Sequence, residues 1–324
     1  MKRAVRIVYH CPCPDGAYAA LAAYLKFHKQ PEVDLDFIPH STYRALPVED
    51  NPAFTPDAEV FLLDYVGPAD FVHRVAKKVR HVTLLDHHKT AFELMEQWKS
   101  ENSLPENFDF QLINEKSGAT IAYDYFSKDA ILIADEAERA RIERAYAYIE
   151  DGDLWRKALP FSKEFSTGLG AKSVEFDYTK NKSLFLQLQL LDADKLIEEG
   201  KVEVERVNKI IADNLTQSYP IKLGGKDNDF GSCLAVLTTS PELRSEMGHQ
   251  LALKSAAAGL RGFGAICYEE AGMADADKNY KVSLRSIEDE DTTVVSKRFG
   301  GGGHKNASSF MLPKDQWNEW KNAA

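Results

Sequence analysis

Residues 84–90 read Leu-Leu-Asp-His-His-Lys-Thr, and the run Asp86-His87-His88 places a carboxylate beside two imidazoles. Imidazole nitrogen suits Mn²⁺ and other first-row divalent ions, and a neighbouring carboxylate can fix the ring's tautomer. Two more carboxylates stand in the same local setting. Asp64 closes the apolar run Val60-Phe61-Leu62-Leu63, and Asp15 follows Val5–His10 across Cys11-Pro12-Cys13-Pro14. An isolated aspartate here would be read as a helix cap or turn residue. Three apolar runs that each end in a carboxylate or imidazole point instead to one shared metal site. Far downstream, Arg298-Phe299 lead into Gly300–Gly303, then His304-Lys305-Asn306. Bare glycine amides at Gly301, Gly302 and Gly303 can approach a phosphate closely, and His304 and Asn306 add polar side chains. Small and polar residues follow rather than a Ser/Gly tract, which argues for an ordered loop over a flexible hinge.

The elements that must position these groups alternate in type. Strand patterns at 4–9, 33–38, 59–64 and 82–86 are interleaved with helical patterns at 16–29, 68–77, 90–99, 117–127 and 134–149. Such alternation predicts an α/β fold, with an N-terminal parallel sheet carrying helices on both faces. Ligands of open parallel sheets gather outside the carboxyl ends of the strands, where the triplet and both aspartates fall. Residues 181–218 read mostly as helix. Strand signals at 233–238, 262–268 and 280–287, with a helix at 244–254, predict a smaller C-terminal α/β domain. The expected division is 1–183, a helical connector at 184–218, and 219–324.

With these residues in place, the chain resembles the DHH phosphoesterase family. The Asp86-His87-His88 triplet is that family's namesake. Asp15-Gly16 followed by Ala19-Ala20 resembles its first motif and Asp64 its second. The glycine run with His304 resembles the signature of its C-terminal substrate domain. The resemblance spans residues 10 to 310. It implies a Mn²⁺-dependent phosphoesterase, with one or two ions and with Mg²⁺ or another divalent ion as the alternative. The family includes single-strand exonucleases, nanoRNases, cyclic-dinucleotide phosphodiesterases, exopolyphosphatases and pyrophosphatases.

The resemblance also implies roles. Asp15, Asp64, His87 and Asp151 would hold the metal, with Asp153 the alternative to Asp151. His88 would contact the scissile phosphate or protonate the leaving group, and Asp86 would orient a histidine. Arg285 resembles a position facing the substrate, where it offers a bidentate phosphate fork; a surface salt bridge is the competing reading. His249 is read as a packing residue, and Trp155 as a core residue, since tryptophans are highly buried on average. The chain departs from the family at Cys13, which stands where an aspartate is usual. Aligning on Asp15-Gly16 then puts Tyr9 at the usual histidine; a slip of one residue would restore His10. The departure bears on whether one or two ions bind, because thiolate favours softer metals than Mn²⁺.

Composition limits the substrate. Of 324 residues 44% are hydrophobic, as in ordinary globular proteins, and the formal net charge is −10. Long nucleic acids are bound by neutralising many phosphates, so a long duplex is not the expected partner. A small phosphorylated substrate is. The reading is therefore hydrolysis of very short oligonucleotides or dinucleotides to mononucleotides. The alternatives are an exopolyphosphatase or pyrophosphatase and a non-catalytic nucleotide-binding protein. No apolar run is long enough to span a membrane. With four cysteines and no signal-peptide pattern at Met1–Val5, reduced thiols and a cytoplasmic location are expected. A homodimer is compatible with all of this.

Overall fold

Strand β1 (Arg3–His10) sends Val5, Ile7 and Tyr9 into one core and Ala4 and Val8 into another. A strand buried on both faces belongs in the interior of a parallel sheet. The computed structural model, which describes all residues except 1, 41–45, 227, 229, 241–242, 270–277, 288 and 324, places it there. β1 pairs in parallel with β2 (Val33–His40) on one side and β3 (Glu59–Leu63) on the other. β3 pairs with β4 (His81–Asp86), and β4 with β5 (Phe108–Leu112), again in parallel. The order β2-β1-β3-β4-β5 reverses direction at β1. The crevice beyond the carboxyl ends of β1 and β3 is therefore the topological switch point.

Two helical layers cover this sheet. On one face lie α1 (Pro14–Phe27), α4 (Gly118–Ser127), α5 (Glu136–Asp153), α6 (Ser162–Ala171) and α7 (Leu184–Leu190). On the other lie α2 (Phe71–Ala76) and α3 (Lys89–Ser100), through Phe71, Val75, Met95 and Trp98. α1 is buried almost all round, and its alanines let neighbours approach closely. A Cβ at Gly16 would stand 2.1 Å from the His10 carbonyl oxygen, so glycine alone lets α1 lie against the end of β1. Sequence periodicity located α1 to α5 to within a few residues. It ended α5 at 149, whereas the helix continues through Gly152 to Asp153. It did not separate α6 and α7 or mark β5.

The chain divides into two compact units, Met1–Val204 and Glu205–Ala324, with the division inside α8 (Ala193–Thr216). Leu184, Phe185 and Leu188 of α7, within the expected connector, bury into the first unit's core. The second unit is a six-stranded mixed sheet. Its strands are β6 (Tyr219–Lys222), β7 (Ser232–Leu237), β8 (Phe263–Tyr268), β9 (Asn279–Ser286), β10 (Gly302–His304) and β11 (Ala307–Pro313). Their order is β10-β11-β9-β8-β7-β6; the β7–β8 pair is parallel and the others described are antiparallel. Helix α9 (Arg244–Ala257) covers one face through Met247 and Leu251. Helix α11 (Lys314–Asn322) covers the other, burying Trp317 and Trp320 with Phe310 and Val295, the latter from the short helix α10 (Thr293–Ser296). Among the described residues no helix is long and apolar enough to cross a membrane.

Candidate active site

Asp64 follows the last residue of β3 and adopts φ +56°, in the left-handed region. This conformation costs a non-glycine residue about 1–2 kcal/mol, less for aspartate than for most. Its N–H donates to the Leu85 carbonyl at 2.9 Å, tying β3 to β4 at the sheet edge. The side chain is buried and addresses three imidazoles. Oδ2 lies 3.2 Å from His10 Nδ1. Oδ1 lies 3.3 Å from His87 Nε2 and 3.4 Å from His88 Nδ1.

Asp15, in the first turn of α1, is held from the opposite side. Its Oδ2 accepts from Gly118 N at 2.8 Å and its Oδ1 from Ala119 N at 2.9 Å. These are free amides at the N-terminus of α4, where the helix dipole favours an anion. Ser117 caps the same helix by accepting from Thr120 N. A Cβ at Gly118 would stand 2.7 Å from Asp64 Cβ, 2.8 Å from Asp64 Oδ1 and 2.9 Å from Asp15 Oδ2. Gly118 is thus the floor between the two carboxylates. Sequence reading missed it, although the Ser-Gly-Ala-Thr stretch opening a helix is a recognisable start signal.

Asp86 takes an orienting position. Its Oδ1 accepts from His87 N at 2.7 Å, from His88 N at 2.9 Å and faces His88 Nδ1 at 2.8 Å. With Nδ1 engaged, His88 presents Nε2 from a ring that remains nearly half exposed. A recess of 320 Å³ opens on this side, lined by Asp64, Tyr65, Pro68, His88 and Thr90.

Among the described residues, three buried polar atoms in the cluster find no hydrogen-bond partner: Asp64 Oδ1, His87 Nε2 and Asp153 Oδ2. His87 Nε2 lies 3.4 Å from Asp153 Oδ2 and 3.6 Å from Asp15 Oδ2. An unsatisfied buried polar group costs roughly 1–3 kcal/mol, and three facing one another are hard to maintain without a shared partner. Among the described residues, three donor sets have their ligand atoms within 4.8 Å of one another: His10-Cys13-Asp64, Asp64-His87-His88 and Asp15-His87-Asp153. The residues present therefore fit a divalent cation.

The electrostatics agree. Burial, then the charges of Asp64 and Asp153, raise Asp15 well above the ordinary carboxylate range. Burial also raises Asp153. Burial works to raise Asp64, but the His10, His87 and His88 imidazoles together outweigh it and lower the carboxyl. His10 is pushed up to about 10 by Asp64 and then Cys13, against its own burial. His87 rises to about 9: burial opposes the charge, but Asp64, Asp15 and Asp153 outweigh it. The cluster is a place where positive charge is stabilised.

Several sequence expectations are redirected. Asp153, the alternative at the fourth position, lies in the cluster. Asp151 is buried, its Oδ1 accepting from Ala158 N at 2.8 Å while its Oδ2 has no hydrogen-bond partner among the described residues, and it belongs to none of the donor sets found among them. The physical reason is the extra turn of α5, which puts Asp153 on the same helix face as Ile149 and Tyr146. His10 reaches the cluster, whereas Tyr9 points into the core and donates to the Phe176 carbonyl at 2.7 Å. Trp155 is not a core residue: it is 75% exposed at φ +52°, with Lys157 Nζ 4.2 Å from its ring centroid.

In the second unit, His304 of β10 lies opposite Ala307 of β11, which lies opposite Arg285 of β9. Residues so paired share a sheet face. Arg285 donates to Ser283 Oγ at 2.9 Å and Ser245 Oγ at 3.0 Å, and burial followed by the charge of Arg244 lowers its pKa. The glycine run is not a free loop. Gly300 N and Gly301 N close the preceding turn on Lys297 O and Ser296 O, and Gly302 and Gly303 form the edge strand β10. Asn306 uses its amide nitrogen on Ser286 Oγ, Ile287 O and Glu290 O, which gives it the job of holding the loop after β9. His249 sits in the second turn of α9.

The first unit is thus a parallel α/β sheet with clustered aspartates and histidines at its switch point, a set that could hold a divalent metal. No family model matches the chain. The chain is similar to uncharacterized protein R106 of Acanthamoeba polyphaga mimivirus, at 26% identity over 328 residues covering 94% of this chain and 67% of that protein. Among solved structures it is similar to a pGpG-specific phosphodiesterase from Vibrio cholerae. That match has 13% identity and a TM-score of 0.49, over 98% of this chain and 97% of the other.

Proposed function

We propose that this protein is a metal-dependent phosphoesterase of the DHH type that hydrolyses short oligonucleotides or dinucleotides to mononucleotides. The observation that carries the reading is the set of unpartnered buried donors on Asp64, His87 and Asp153 beside Asp15. These four residues, with His10, would hold the metal. Three carboxylates and two imidazoles suit Mn²⁺ or a similar first-row ion, with Mg²⁺ the harder alternative. When bound, such an ion lowers the pKa of a coordinated water and neutralises charge on a phosphoryl group. Asp64 presents Oδ2 to His10 and Oδ1 to His87 and His88, and it belongs both to the donor set with His10 and Cys13 and to the one with His87 and His88. His88, its Nδ1 fixed by Asp86, offers Nε2 to a phosphoryl oxygen or as the proton donor to the leaving oxygen.

The second unit is proposed to bind a phosphate that is not cleaved, through His304 and Arg285. His304→Ala should then weaken dinucleotide binding by about 1.5–3 kcal/mol, the value of one charge-assisted hydrogen bond. That is roughly ten- to a hundred-fold in Kd, with metal binding unchanged. Isothermal titration of the dinucleotide and of Mn²⁺ into both proteins reads this directly; equal dinucleotide affinities would remove His304 from the site.

The function itself is tested by assaying hydrolysis with Mn²⁺ or Mg²⁺ over linear dinucleotides, cyclic dinucleotides, short polyphosphate and nucleoside monophosphates. Linear dinucleotides should be cleaved fastest, and elemental analysis should find bound divalent ion. A protein that binds nucleotide but neither ion nor turnover would be a binding protein, the alternative that Cys13 brings forward.

A further inference from the structure

The carboxylate cluster opens on a second side, also within the first unit. A cavity of 240 Å³ lies among the N-terminus of α1, the end of α5 and α6. Cys13, Asp15 and Asp153 line it and belong to the donor sets, so it is continuous with the proposed metal centre. Most of the remaining wall is hydrocarbon and aromatic, including Ile149, Phe165, Leu169, Val174 and Phe176. That wall is well braced. The rings of Tyr148 and Phe165 stack with centroids 4.6 Å apart, and the Tyr148 hydroxyl donates to the Pro160 carbonyl at 2.8 Å.

Among the described residues no lysine or arginine lines this space, and its neutral polar side chains are Ser166, Ser173, Cys13 and Tyr148, whose hydroxyl is engaged by the Pro160 carbonyl. A further phosphate would meet carboxylates at one end and hydrocarbon elsewhere, and an unpaired buried charge costs several kcal/mol. With Asp15 and Asp153 given to the metal, a sugar would bring more hydroxyls than the two serines can satisfy, and each buried unpaired hydroxyl is also penalised. A flat ring system with a weakly polar edge loses least: it trades water for aromatic walls, a contact worth about 1–3 kcal/mol per base where bases stack on side chains. The volume lies just below the roughly 300–1,000 Å³ of pockets that take drug-sized ligands, so it admits one such ring system and not a whole nucleotide.

We propose that this cavity takes the nucleobase of a nucleoside esterified to the scissile phosphate. The inference rests on the phosphoesterase reading and narrows it: the substrate carries a base beside the bond that breaks, and polyphosphate is a poor fit. Selectivity for the base would come from Phe165, Leu169 and the Tyr148 ring, none of which is a metal donor.

The test uses Gly170→Leu and Leu169→Ala. Gly170 lines the cavity from α6 at its exposed rim, and a Cβ there meets nothing within 4 Å, so leucine can be added across the opening without a clash. Leucine is also the better helix former, by a little under 1 kcal/mol, so the variant should melt no lower than wild type. Hydrolysis with Mn²⁺ is measured for a linear dinucleotide, for the same dinucleotide lacking its bases, and for tripolyphosphate. Wild type should prefer the dinucleotide over the abasic form at least ten-fold in kcat/KM. Gly170→Leu should collapse that ratio towards one, chiefly through KM, and Leu169→Ala should lower it in the same direction. A wild-type ratio near one, a ratio unmoved by both variants, or a preference for tripolyphosphate would overturn the assignment. Binding of 2-aminopurine riboside 5′-monophosphate, read by its fluorescence, separates this from failure of the phosphoesterase reading. If wild type cleaves nothing, saturable quenching that Gly170→Leu abolishes still supports a base pocket, and no quenching overturns it.

Discussion

His87→Ala is expected to abolish metal-dependent hydrolysis, with kcat falling by at least about three orders of magnitude, or roughly 4 kcal/mol in the barrier. The size follows from position. His87 Nε2 lies within 3.6 Å of oxygens from Asp15, Asp64 and Asp153 together. Its loss removes a donor shared by two of the three donor sets. The fold should survive, because His87 follows the end of β4 and belongs to neither hydrophobic core. Far-UV circular dichroism should match wild type while elemental analysis shows metal content reduced. Turnover near the wild-type value in a purified, folded variant would remove His87 from the metal set.

Gly118→Ala is the second large effect. By helix propensity alone, alanine would stabilise α4 by up to about 1 kcal/mol. The structure predicts the opposite sign. The added methyl falls inside 3 Å of Asp64 and Asp15, and neither carboxylate can retreat. Asp15 is held by two amides of α4, and Asp64 by its left-handed backbone and its bond to Leu85. Overpacking of this kind costs roughly 1–3 kcal/mol, and displacing both carboxylates should lower kcat about a hundred-fold or more. Thermal melting and steady-state kinetics check both. A variant that melts higher and keeps its turnover would show that α4 moves away without consequence for the cluster.

What the sequence made legible was local. Asp86-His87-His88 after Val82–Leu85, Asp64 after Val60–Leu63 and Asp15 after β1 are strand-end signals, and the parallel sheet that aligns those ends follows from strand–helix alternation. The misplacements are each a matter of one or two residues at a boundary. Spacing from the helical pair Tyr148-Ile149 favours Asp151; carrying the helix on through Gly152, on the 3.6-residue period of Tyr146 and Ile149, leads to Asp153. Tyr9 and His10 are separated by strand alternation: Val5, Ile7 and Tyr9 enter one core, which leaves His10 free to meet Asp64. Gly118 is marked by the helix start at Ser117–Thr120, but its role at the site is not. Its role depends on Asp15, more than a hundred residues earlier in the chain, and no local pattern carries that contact. Trp155 was misjudged because average burial says nothing about a residue in a strained loop beside a site.

That last residue gives the protein an optical property. Of its four tryptophans, Trp98, Trp317 and Trp320 are at most 3% exposed, while Trp155 stands in solvent two positions beyond Asp153. The intrinsic emission should therefore split into a blue, shielded component from three indoles and a red component, open to collisional quenchers, from one. A paramagnetic ion bound at Asp153 would dim the red component preferentially, so loading could be followed in the unlabelled protein by the colour of its own fluorescence.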